Sequence, residues 1–407
     1  MRKFGGLSYH QLRMPDMSDV LRVGIVGAGF VARIHAEAYR RVPGHTVDVH
    51  AVCASRSERA HTFAAQHHIA HVAADLNAML ADPTIDLIDL CVPNNLHASF
   101  AIAAAQAGKH VIVEKPLTGA FEHVGDAGAL LREALTNADA MLDACATAGV
   151  QLLYAENWVY APPIQKARRL FAAAKGPILR IEGEESHSGS HASYSRRWAT
   201  AGGGSLLGKG CHPLGAALYL KRCEGESRDG RPIRPRSVVA EVARLTATPQ
   251  FQASEPKYLQ SGWVDVEDWG TMVVTFDDGT VAQITAADTV LGGIKNYLVV
   301  YGANAVVQAN INPNTACVAY APSGEIFGDE YITEKIETKG GWTFPAPDED
   351  FMTGYPQEIE DFVDAVRNNR PPASGGPLAH DVVATIYGAY VSAAEGRRVD
   401  LSPFLRD

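Results

Sequence analysis

From Leu21 to about Asn157 the apolar positions alternate between two periods. LRVGIVGAG (21–29) is a short apolar run closed by glycines, and FVARIHAEAYRRV continues on a helical spacing. VDVHAVCAS predicts a second strand and SERAHTFAAQHH a helix. IDLIDLCVP predicts a strand, HASFAIAAAQAG an alanine-rich helix and KHVIVEKP a further strand. ADAMLDACATAG and VQLLYAEN add one more helix and strand. Strands alternating with helices predict a parallel sheet covered on both faces.

After Asn157 the pattern changes. ILRIEGEESH, RSVVAEVARLT, GTMVVTFDDGTVAQITAAD and NYLVVYGANAVVQAN alternate with period two. The Asp277-Asp278-Gly279 turn between two such runs signals a hairpin. EGESRDGRPIRPR (224–236) is a polar surface loop. PQEIEDFVDAVRNN and PLAHDVVATIYGAYVSAAEG return to helical spacing. The expected architecture is an α/β Rossmann domain over 21–157, then an α+β domain over 158–407 with a large, mostly antiparallel open sheet. Its C-terminal helices span 356–396, and residues 1–20 form a flexible extension without the apolar core of a signal peptide.

Composition narrows the function. A chain of 407 residues, 46% hydrophobic and 20% charged, fits a two-domain soluble protein. A net charge of −10 without a basic stripe argues against nucleic acid, and no apolar run approaches a membrane span. The six cysteines lack metal-ligand or disulfide-framework spacing, which points to reduced thiols and a cytoplasmic location, with no metal site expected.

The strongest chemical signal is G-x-G-x-x-A at Gly27, Gly29 and Ala32, between an apolar strand and a helix. Gly27 suits the tight turn and Gly29 the approach of a pyrophosphate. Ala32 lets the helix pack close, and the helix start at Phe30 and Val31 offers backbone N–H groups to anions. NAD sites commonly carry an acid at the end of the second strand. Here Ser55 and Arg56 stand there, a hydroxyl and a guanidinium that suit a 2′-phosphate, unless Arg56 is only a solvated helix start. The cofactor is NAD or NADP, with these residues favouring NADP.

CVPNNLHASFAIAAAQAGKHVIVEKPL (91–117) resembles the Gfo/Idh/MocA family of pyridine-nucleotide oxidoreductases. The resemblance runs through Pro93, Asn94 and His97, then Glu114-Lys115-Pro116, AENWVYAP, Arg197-Trp198, GGGSLLGKGCH (202–212) and the last helix. It implies an active site between two domains, with a carbohydrate or polyol as substrate. It also implies a homodimer or homotetramer through the C-terminal sheet. Lys115 and His212 take the catalytic positions: the lysine binds the substrate hydroxyl and the histidine accepts its proton. Pro93, Asn94, His97 and Glu114 join the cofactor site; Asn157, Tyr160, Arg197 and Lys209 flank the substrate.

The chemistry of these residue types agrees. Histidine titrates near neutrality and can take a hydroxyl proton, and a fixed cation stabilises a developing alkoxide. One departure stands out. Many members carry an aspartate four residues before the histidine, and this chain has Gly208 there. Lys209, the next residue, either tunes His212, steers an acidic substrate or points to solvent. His187 and His191 lie in a serine-rich loop beside the expected cleft, and His61, His67, His68 and His71 on the surface. Glu267 and Asp268 are either cleft acids or a solvated strand end. The expected activity is hydride transfer between a secondary hydroxyl and the nicotinamide. A glycoside hydrolase using transient oxidation and a non-catalytic dinucleotide sensor are the alternatives.

Overall fold

The structure, a computed structural model, describes residues 20–122, 126–312 and 317–406. The extension expected over 1–20 lies, but for Val20, outside the described residues. Six parallel strands form the first sheet: β1 Val20–Val26, β2 Thr46–Cys53, β3 His71–Val72, β4 Leu87–Leu90, β5 His110–Glu114 and β6 Leu152–Ala155. Their order is β3-β2-β1-β4-β5-β6. The strands read as continuous apolar runs because helices bury both faces. Val23, Ile25, Leu87, Ile88, Val111 and Ile112 are fully buried.

The strand order reverses between β1 and β4. In open sheets of this kind the ligand crevice lies outside the carboxyl ends at that reversal. Gly27, Ser55, Pro93, Lys115 and Glu156 each follow a strand end within three residues, so one edge of the sheet gathers them.

The second sheet has seven strands in the order β12-β11-β7-β10-β9-β8-β15. They are β7 Ile178–Ser186, β8 Pro235–Ala243, β9 Trp269–Phe276, β10 Val281–Ala287, β11 Lys295–Gly302, β12 Val306–Asn310 and β15 Val399–Asp400. Only the β7–β10 pair is parallel. The Asp277–Gly279 turn joins β9 to β10 as expected, with Gly279 at φ +84°. A small antiparallel pair, β13 Ala319–Ala321 with β14 Gly341–Thr343, was not anticipated.

One face of this sheet is covered by the helices Cys211–Asp229 and Gly376–Glu395. Met272, Val274, Phe276 and Ile284 face that side and are buried. Val239 and Val273, on the opposite face, are 38% and 40% exposed. The helix Gly376–Glu395 also packs on Ala127–Ala148 of the first domain. From it Tyr387 donates its hydroxyl to the Gly202 carbonyl and accepts the Ala120 N–H, which clamps the two domains beside the crevice.

Candidate active site

The glycine loop shows two different needs for glycine. Gly27 sits at φ +118°, and a Cβ there would stand 2.1 Å from the Cys91 carbonyl oxygen. Its N–H bonds the Cys53 carbonyl at 2.8 Å, so the loop is pinned across three strand ends. Gly29 caps the helix Phe30–Tyr39, and no protein atom lies within 4 Å of a Cβ built on it. No side chain caps this helix start, so the amides of Phe30 and Val31 have no side-chain partner. Ala32 is fully buried, as close helix–sheet packing requires. An open, uncapped helix start behind a glycine cradle fits a dinucleotide pyrophosphate. Ser55 and Arg56 are exposed just past β2, and Arg56 makes no ion pair among the described residues.

The expected catalytic residues, Lys115 and His212, lie where the two domains meet. Lys115 follows β5, in a cis peptide with Pro116, and its Nζ donates to the Gly208 carbonyl of the second domain at 3.0 Å. His212 is buried in the first turn of Cys211–Asp229. Its Nδ1 lies 2.6 Å from Oε1 of Glu156, the residue after β6. Its Nε2 lies 3.9 Å from Oε2 of Glu185 near the end of β7. Trp158 stacks on the imidazole with ring centroids 5.7 Å apart.

Electrostatics set the protonation states. Burial, then the Lys115 ammonium, hold His212 down to about 3, so the imidazole is neutral at neutral pH. Burial pushes Glu156 up to about 8, although Lys115 pulls the other way. Burial alone would lower Lys115; the neighbouring Cys211, Glu185 and Glu114 more than offset it, and the ammonium is held above its ordinary range. A neutral histidine, a carboxyl on its far nitrogen and a persistent cation therefore share one pocket.

Glu156 answers the question posed by Gly208. The carboxylate that orients the imidazole comes not from one turn earlier but from 56 residues earlier in the chain. The sequence placed AENWVYAP in the family pattern, yet its glutamate carried no local spacing signal. Glu185 was missed for the same reason. A Cβ on Gly208 would meet no atom within 4 Å.

The solvent-facing readings of Lys209, Glu267 and Asp268 need correction. Lys209 does not point to solvent: it is buried and pairs with Asp288 at 2.6 Å, and Asp288 also holds Ser205. The Asn94 amide reaches the second domain and donates to the Ala201 carbonyl at 2.8 Å. His97 joins the Pro116 and Val92 carbonyls, at 2.9 and 3.0 Å, and so fixes the turn that carries Lys115. The Asn157 amide donates to the Thr353 carbonyl. The Tyr160 hydroxyl donates to Asp361 and accepts the Ser374 N–H. Arg197 is exposed at the start of the short helix Trp198–Ala201. Glu267 and Asp268 are buried, not solvated. Glu267 accepts the Gly204 and Leu206 amides and the Tyr390 hydroxyl, and Asp268 accepts the Leu245 and Thr246 amides. Glu267 thus shapes the glycine turn that leads to His212. His187 is buried and accepts the Gly189 N–H, whereas His191 is exposed.

A dinucleotide cradle at the carboxyl edge of a parallel sheet, facing a histidine, a glutamate and a lysine, defines a two-domain nucleotide-linked oxidoreductase. Residues 21–153 match a family model described as the oxidoreductase family with an NAD-binding Rossmann fold, and residues 164–308 match the GFO/IDH/MocA C-terminal domain. The chain belongs to the Gfo/Idh/MocA family and is an NAD(P)-dependent oxidoreductase. It is 28% identical over 295 residues to levoglucosan dehydrogenase of Pseudarthrobacter phenanthrenivorans, covering 68% of this chain and 70% of that one. It is also 28% identical over 360 residues to D-xylose 1-dehydrogenase (NADP(+)) 2 of Haloferax volcanii, covering 86% and 91%. Among solved structures, GenD2 from gentamicin A biosynthesis in complex with NAD superposes with a TM-score of 0.78 at 28% identity, over 97% of this chain and 99% of that one. No helix among the described residues is long and apolar enough to cross a membrane.

Proposed function

We propose that this chain oxidises a secondary hydroxyl of a sugar, polyol, glycoside or sugar acid, with His212 as the base and Lys115 as the cation that binds the hydroxyl oxygen. The observation that carries this reading is the pairing of His212 Nδ1 with Glu156, in a pocket reached by Lys115 from the other domain. When bound on Gly27, Gly29 and the Phe30 helix start, the dinucleotide supplies a hydride acceptor. With Glu156 ionised, Nδ1–H donates to it and the Nε2 lone pair is free to take the hydroxyl proton, the same division of labour as in a carboxylate-oriented catalytic histidine. Lys115 meanwhile stabilises the negative charge growing on the oxygen. The convergence of Lys115, His212 and Glu156 supports an enzyme over a dinucleotide sensor, because a sensor has no use for a buried base.

This division makes a signed prediction about pH. Below about 8 the Glu156 carboxyl keeps a proton and competes for Nδ1; above it the base-competent form prevails. kcat/KM for hydroxyl oxidation is expected to rise with pH up to about 8 and then level. In Glu156→Gln that limb should vanish, with kcat reduced at least ~10-fold because the imidazole loses its orienting charge. An unchanged profile in Glu156→Gln would remove Glu156 from the proton path.

The finer assignments rest on single features. Arg56, exposed and unpaired past β2, supports NADP ahead of NAD. Arg56→Glu should weaken NADP binding more than NAD binding, and equal losses by calorimetry would exclude it from the 2′-phosphate site. The exposed valines Val239 and Val273 on the open sheet face support a homodimer or homotetramer, since exposed apolar patches mark interaction surfaces. Sedimentation should show a mass of two or four chains, and a monomer at micromolar concentration would contradict this. Six free cysteines, four of them buried, support a reducing, cytoplasmic compartment.

A further inference from the structure

The buried charges of the first domain are not confined to the crevice. His35 lies midway along the helix Phe30–Tyr39 and is fully buried. Its Nδ1 is 3.1 and 3.0 Å from the two carboxylate oxygens of Asp89 on β4. The Tyr39 hydroxyl donates to the same carboxylate at 2.9 Å, and Cys91 Sγ lies 3.7 Å from Nδ1. On its other side, His35 Nε2 is 3.1 Å from Oε1 of Glu114, the last residue of β5, and 4.0 Å from Oε1 of Glu358. Glu358 belongs to the second domain, on the helix Tyr355–Arg367, and Tyr355 of that helix places its ring 6.1 Å from the imidazole. The other oxygen of Glu114 accepts the Lys115 backbone N–H at 3.1 Å.

A helix that only presents its start to a pyrophosphate has no need of a charged group on its buried face. Burying an imidazole among three carboxyl groups is costly unless the charges pair. Burial would lower His35, but Asp89 and Cys91 more than offset it and hold the imidazolium well above its ordinary range. Burial raises the Glu358 carboxyl well above its ordinary range. His35 thus sits between Asp89 at Nδ1 and Glu114 at Nε2.

We propose that His35 is a positioning residue for Lys115: it pairs with Glu114, and Glu114 holds the Lys115 backbone. The inference rests on the reading of Lys115 as the cation of the active site. It predicts that disturbing His35 displaces the lysine without removing any group that touches substrate.

The test uses the full chain and two variants. His35→Asn keeps an amide near the Nδ1 position for Asp89 and loses the reach to Glu114. His35→Gln restores a donor near the Nε2 position. Acetylation of Lys115 by acetic anhydride, followed by mass spectrometry across pH, reports the lysine without any substrate. In His35→Asn, Lys115 should label faster and over a lower pH range, while NADH affinity stays near wild type. On a hydroxyl substrate, kcat should fall by roughly 10- to 100-fold with KM little changed, the usual cost of losing a group that orients a functional one. His35→Gln should recover most of the labelling and kcat. If His35→Asn lowers only the melting temperature and leaves labelling and kcat at wild-type values, His35 is a packing residue and the proposal fails. Should His35→Asn not fold, Glu114→Gln takes its place: faster Lys115 labelling supports the proposal, and unchanged labelling overturns it. A wild type that oxidises no hydroxyl would refute the proposed function while the labelling result still decides the role of His35.

Discussion

Replacing His212 by alanine should reduce kcat by roughly 10²–10⁴, the range expected for losing a positioned acid–base group. NADH affinity should stay near that of the wild type, because the imidazole belongs to the second domain and the cradle of Gly27 and Gly29 to the first. Lys115→Ala should also slow turnover. Lys115 Nζ bonds the carbonyl of Gly208, four residues before His212, and in the proposed function the two side chains act on one reacting oxygen. The double variant should then be little worse than the worse single one, because residues that act as a unit are not additive. Full activity of His212→Ala on a confirmed substrate would make this histidine a structural one. Independent, multiplying losses in the double variant would separate the roles of the two groups.

The second large effect concerns the glycine loop, where the two glycines should fail in different ways. Gly29→Val should fold normally and lose dinucleotide binding. Its side chain meets no protein atom nearby but enters the space in front of the uncapped helix start. Gly27→Val should lose the fold of the loop itself. Its Cβ would overlap the Cys91 carbonyl, and its backbone lies in a region that β-branched residues avoid. Calorimetry with NADH and a thermal melt on each variant separate the two. Normal NADH binding by folded Gly29→Val would show that the pyrophosphate sits elsewhere.

The parts of this molecule that are legible in the sequence are those set by local patterns. The alternation of buried strands and amphipathic helices fixes the first sheet, because period and turn residues act over a few positions. The hairpin at Asp277–Gly279 is legible for the same reason. The glycine loop is legible because backbone conformation and close approach restrict the residue type at Gly27. Glu156 was not legible as the partner of His212, since their contact depends on how the end of β6 meets a helix of the other domain. Asp288 for Lys209 and Glu114 for His35 are hidden in the same way. The partners of Tyr160 and Asn94, Asp361 and the Ala201 carbonyl, are hidden likewise, because proximity along the chain says nothing about which way a side chain turns. At Gly208, where many members carry an aspartate, the fold brings the Glu156 carboxyl to the imidazole instead.

The central claim, that Lys115, His212 and Glu156 handle the proton while hydride passes to a bound dinucleotide, has one direct test. The wild type is incubated with NAD+ or NADP+ and a panel of sugars, polyols, glycosides and sugar acids, and cofactor reduction is followed by absorbance. For a hit, the substrate is deuterated at the carbinol carbon. The expected result is net NAD(P)H formation with at least one secondary alcohol, and transfer of that deuterium to the nicotinamide ring. Glycoside cleavage without net reduced cofactor, or tight dinucleotide binding with no turnover on any member of the panel, would contradict it.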